Sequence, residues 1–84
     1  MFAKVKPTVF IHSLKFELVA QEKTSFKAIL RDDSGFVCST LEASMPVKDN
    51  ELVWRGLNNL PYGVYTLELT QGNDEMKMRL VKRV

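Results

Sequence analysis

LVWRGLNNLPYGVYTLELTQGNDEMKMRLVKRV, residues Leu52–Val84, reads as strand, tight loop, strand, hairpin turn and last strand. From Val64 to Thr70 the residues alternate, with Tyr65, Leu67 and Leu69 on one face and Val64, Thr66, Glu68 and Thr70 on the other. Period-two alternation is the signature of a half-buried strand. Gln71-Gly72-Asn73-Asp74 is turn chemistry, since Gly and Asn tolerate positive φ. Beyond it Met76, Met78, Leu80, Lys82 and Val84 share one face, and Glu75, Lys77, Arg79, Val81 and Arg83 the other. Ahead of it, Pro61 sets φ for the first turn position, and Gly63 supplies the positive φ or bulge that a sharp entry into a strand requires.

Working outward, Leu14 to Ala20 is a firm strand with Leu14, Phe16, Leu18 and Ala20 on one face. Ser25 to Arg31 is another, with Phe26, Ala28 and Leu30 inward. Asp32-Asp33-Ser34-Gly35 turns the chain into a partner strand, Phe36 to Leu41. Glu51 to Trp54 is a short strand with Leu52 and Trp54 on one side. Phe2 to Lys6 reads as a first strand or an arm, and Thr8 to His12 as an edge strand. Gln21 to Thr24 is a polar connection. Ala43 to Asn50 is less regular, and a helix is the competing reading within Met45 to Leu57, where Pro46 and Gly56 keep it short. The outcome is about seven short strands with dense turn signals, the pattern of a sandwich or barrel.

The chain has 84 residues, enough for one domain, residues 1–84, with a modest core. Its 45% hydrophobic and 26% charged fractions are those of an ordinary globular domain. A net charge of +2 is too balanced to point to nucleic acid or to a membrane surface. There is no apolar run of signal-peptide or membrane-spanning length. The chain is accordingly expected in the cytoplasm if complete, and in the secreted or cell-surface fraction if it is a piece of a sorted precursor. With one cysteine, Cys38, and one histidine, His12, neither an internal disulfide nor a metal cluster is expected, and no cofactor is implied.

Candidates for chemistry read more simply as structure. Asp32 and Asp33 are adjacent, so as strand-end residues they do not converge on a substrate, and they supply too few oxygens for calcium. Ser34, Ser39 and Ser44 lack a base and a nucleophile elbow. Cys38 reads as a small buried hydrophobe. Trp54 and Tyr65 fall on core faces, and Tyr62 sits exposed on its loop. Together, Trp54, Tyr62 and Tyr65 are the only candidate stacking platform for a carbohydrate or single strand. Lys77, Arg79 and Arg83 form a basic stripe, to which Lys82, Lys4 and Lys6 can add. The stripe reads either as a contact for an acidic partner or as charge that keeps an edge strand from pairing.

Leu57-Asn58-Asn59-Leu60-Pro61-Tyr62-Gly63-Val64-Tyr65-Thr66-Leu67-Glu68-Leu69, closing on Leu80-Val81-Lys82-Arg83-Val84, resembles the end of a type IX secretion C-terminal sorting domain. Phe26 to Val37 is similar to the strand, turn and strand of that family. Other small sandwich modules, such as transthyretin-like domains, share the Leu-Pro-x-Gly-x-Tyr piece. Where the family carries a Pro-Asn-Pro entrance, this chain has Lys6-Pro7-Thr8. The resemblance implies an all-β, immunoglobulin-like two-sheet sandwich that is read by an outer-membrane secretion machinery, with Gly63, Tyr65, Lys82 and Val84 at the family's end-of-chain positions. The expectation is a non-catalytic recognition module whose partner surface is Tyr62, Lys77, Arg79, Lys82, Arg83 and Val84, with Pro61 and Gly63 as turn residues. The alternatives are a structural assembly subunit that associates through strand edges and, behind it, a carbohydrate-binding module. No nucleic acid, membrane insertion or small-molecule substrate is expected.

Overall fold

The computed structural model describes residues 3–19, 24–45 and 47–83. Phe2, Ala20, the Gln21–Lys23 part of the polar connection, Pro46 and Val84 lie outside the described residues. Among the described residues eight strands follow in chain order: β1 (Ala3–Lys6), β2 (Val9–Phe10), β3 (Leu14–Leu18), β4 (Ser25–Arg31), β5 (Val37–Ser44), β6 (Glu51–Trp54), β7 (Gly63–Gln71) and β8 (Asp74–Lys82). They form two sheets, ordered β1-β3-β6 and β2-β8-β7-β4-β5. The fold is all-β.

Alternation explains why these segments pack as they do. In β3 the residues Leu14, Phe16 and Leu18 are buried, in β4 Phe26, Ala28 and Leu30, and in β7 Tyr65, Leu67 and Leu69. All belong to one hydrophobic cluster that the two sheets share. Phe16 of the three-stranded sheet meets Phe26 of the five-stranded sheet with ring centroids 5.4 Å apart. Phe10 meets Tyr65 edge-on at 6.1 Å. Burying each such side chain contributes about 1.5–3 kcal/mol, so this shared layer is the main source of cohesion.

Three features depart from the sequence reading. Phe36 belongs to the turn rather than to β5, because its N–H and carbonyl both engage Asp32. Conversely β5 runs on to Ser44, paired with Ser25. The expected edge strand at Thr8 to His12 shrinks to Val9–Phe10, and it pairs in parallel with Val81 and Lys82. The Val81 N–H donates to the Thr8 carbonyl at 2.9 Å, and the Arg83 N–H to the Phe10 carbonyl at 2.8 Å. The last strand is therefore covered at its C-terminal end. Between Met45 and Leu57 the only helical element among the described residues is the single 3₁₀ turn Lys48–Asn50, with Asp49 and Asn50 at positive φ.

The outer face of the three-stranded sheet is charged, with ion pairs Lys6–Glu17 at 3.7 Å and Lys15–Glu51 at 3.2 Å. Lys4 and Lys6 lie on that face, on the opposite side of the molecule from Lys77 and Arg79, and so do not extend the stripe.

Candidate functional site

The loop from β6 to β7 crosses from one sheet to the other, and its sequence dictates the crossing. Buried Leu57 is anchored by its N–H to the His12 carbonyl at 3.1 Å, and its own carbonyl accepts the Leu60 N–H at 3.2 Å. Pro61 follows, and Gly63 then takes φ +148°, a conformation that residues with a Cβ avoid. The Tyr65 hydroxyl reaches back to the Pro61 carbonyl at 2.6 Å. Burial, and secondarily the nearby Cys38 and Asp32, holds the Tyr65 phenol above its ordinary pKa. The loop is pinned at both ends, and Tyr62 is carried at its apex with 73% of its surface exposed.

Beside this loop lies the outer face of the five-stranded sheet. Its centre is Glu68, which accepts from Arg31 Nε at 3.0 Å and lies 3.5 Å from Lys77 Nζ. The Arg31 hydrogen bond, and then the charges of Arg31 and Lys77, keep the Glu68 carboxyl below the usual carboxylate value. Lys77 is thus partly neutralised. Arg79 stands opposite Thr66, and among the described residues neither Arg79 nor Arg83 forms an ion pair. Val81, between them, lies in register with Val64 on one side and Val9 on the other. All three valines are exposed, and a shallow cleft joins Tyr62 and Gly63 to Val81 and Arg83. The result is a rigid apolar row flanked by two arginines and a tyrosine. Arg and Tyr are the residues most enriched in protein interfaces, where an apolar centre is desolvated inside a polar rim.

The structure therefore brings Tyr62 and Arg83 together at one cleft, with Arg79 further along β8 opposite Thr66 and Lys77 beyond it. Lys82 departs from the expected stripe: it is 3% exposed, it shares the inward side with Leu80, and its Nζ donates to the Arg83 carbonyl at 2.7 Å. Val84 lies outside the described residues. Trp54 is buried against Phe16, with ring centroids 6.3 Å apart, so it presents no open stacking face. Asp32 is occupied by its turn, accepting from the Ser34 N–H at 2.9 Å and the Phe36 N–H at 3.0 Å. Cys38 is exposed, contrary to the buried hydrophobe expected, because it falls on the outward side of β5 with Thr40, Glu42 and Ser44, while Ser39, Leu41 and Ala43 turn inward.

Sequence reasoning missed the valine row. The outward positions of Val64 and Val81 were visible in the alternation, but nothing local places Val9 beside Val81. No group of three or more metal-ligating side chains gathers among the described residues. None of their helices is long and apolar enough to cross a membrane. No family model matches the chain, and no curated protein matches it.

Proposed function

We propose that the chain is a non-catalytic, immunoglobulin-like recognition module that holds a protein partner on the outer face of its C-terminal hairpin. The observation that carries this reading is the row Val9–Val81–Val64 between Arg79 and Arg83, which form no ion pair among the described residues, with Tyr62 beside it. An apolar strip on a hydrogen-bonded sheet is already ordered, so little conformational entropy is lost when a partner covers it. Candidate nucleophiles and acids, by contrast, are dispersed or engaged in turns.

The immunoglobulin-like reading has two supports. With β1, β3 and β6 as strands A, B and E, and β8, β7, β4 and β5 as G, F, C and C′, neighbours in each sheet are those of that architecture. The hydrogen bond from Tyr65 to Pro61 sits where such sandwiches carry a tyrosine corner, at the start of strand F after the crossing from E.

Within this reading the partner is a type IX secretion machinery, on the strength of the Leu60-Pro61-Tyr62-Gly63-Val64-Tyr65 resemblance. Much of that motif shapes the corner itself: Pro61 accepts, Gly63 turns and Tyr65 donates. The sorting reading therefore adds a claim that the corner alone does not require. Fusing the chain behind a periplasm-directed reporter in a type IX host tests it. Export to the cell surface supports sorting, and retention in the periplasm rejects sorting as the partner class.

A further inference from the structure

We infer that two copies of this chain associate through strand β5, edge to edge and antiparallel, joining their five-stranded sheets into one continuous sheet. The inference is independent of the recognition face on β8, which lies at the other side of the same sheet.

It rests on a comparison of the strand edges. An unpaired edge is a template for another chain, and proteins blunt it with short strands, charge, proline or bulges. β1 is four residues long and carries Lys4 and Lys6, with Pro7 directly after it. β2 has two residues, and β6 has four with Glu51 among them. The part of β8 that β2 leaves open carries Glu75, Lys77 and Arg79. β5 is different. It is eight residues long, VCSTLEAS, ends the five-stranded sheet, and no described residue pairs with its outer side. Its single charge, Glu42, is held by Lys27 at 3.6 Å. The register shift is confined to the Val37 end, leaving Ser39–Ser44 regular.

The hydrogen-bond phase shows which groups are free. Met45 donates its N–H to the Thr24 carbonyl at 2.8 Å, and antiparallel ladders alternate between bonded and non-bonded pairs. Ala43, Leu41 and Ser39 therefore bond back to β4, whereas Ser44, Glu42 and Thr40 turn their N–H and C=O groups outward. A second copy satisfies these groups with itself. With Leu41 on the two-fold axis, Thr40 of one copy exchanges backbone bonds with Glu42 of the other, and the reverse. In this register no like charges oppose each other, each threonine hydroxyl meets a carboxylate paired with Lys27, and the two half-buried Leu41 side chains meet at the centre.

Sedimentation of the parent chain, Thr40→Ala and Thr40→Pro tests the inference. Proline removes an outward N–H without touching the β4 ladder, while alanine keeps it. The parent and Thr40→Ala are expected to dimerise, with Thr40→Pro weaker by about ten- to a hundredfold, since two symmetric hydrogen bonds are lost. A parent that stays monomeric at millimolar concentration, or a folded Thr40→Pro that dimerises as the parent does, overturns it. Should Thr40→Pro not fold, amide hydrogen exchange on the parent decides. Protection of the Thr40 and Glu42 amides that rises with protein concentration supports the dimer, and fast exchange at every concentration overturns it.

Discussion

The Tyr65 hydroxyl and the Pro61 carbonyl lie 2.6 Å apart, closing the loop that carries the chain from one sheet to the other. The same bond fixes the platform on which Tyr62 is displayed. Removing it in Tyr65→Phe leaves the ring packed on Phe10 but the corner open. The expected loss is about 0.5–1.5 kcal/mol, read from the denaturation midpoint at unchanged m-value. An unaltered midpoint would show that the corner holds without the bond.

Gly63 has no heavy atom within 4 Å of where a Cβ would sit, so space does not limit substitution there. The backbone does, at φ +148°. Gly63→Ala and Gly63→Val are both expected to destabilise by about 1–3 kcal/mol. A Val penalty far above the Ala penalty in urea denaturation would mean that crowding, not φ, governs the position.

Trp54 is expected to emit in the blue-shifted range and to move red on unfolding, because its ring is buried on Phe16. Iodide quenching of the native protein as efficient as that of free tryptophan would contradict the burial.

Much of this architecture was legible in the chain. The buried faces of β3, β4 and β7 follow from strict alternation, and the Gly72-Asn73 hairpin from turn chemistry, with Gly72 at φ +60° in the first central position. What alternation cannot supply is which strands lie side by side. The parallel pairing of Val9–Phe10 with β8 joins opposite ends of the chain, so neither the cover on the last strand nor the valine row has a local signal. Lys82 misled for a different reason: a long lysine stem packs inward as an aliphatic chain once its amine finds an acceptor, here the Arg83 carbonyl. Cys38 misled because its residue type favours burial, whereas its place in β5 puts it on the exposed side with Thr40 and Glu42.

Glu68 ties the pH response to the outer face. Its folded pKa lies below the ordinary value of 4.5, with the Arg31 hydrogen bond as the main cause. A depressed carboxylate contributes stability that is complete above the unfolded value and is lost as pH falls through the folded value. Glu68→Gln is therefore expected to cost up to about 1 kcal/mol at neutral pH and to flatten the stability loss below pH ~4.5, where the parent declines. Identical acid profiles for parent and variant would show that the Arg31–Glu68–Lys77 cluster is energetically silent.

The recognition face itself is tested most directly by Arg79→Glu combined with Arg83→Glu in the reporter fusion. Both side chains are exposed on the sheet surface and neither is in the core, so circular dichroism of the variant should match the parent. The account predicts that the parent fusion reaches the cell surface of a type IX host and that the folded charge-reversed fusion stays in the periplasm. A folded variant exported as efficiently as the parent would contradict the assignment of this face as the partner surface.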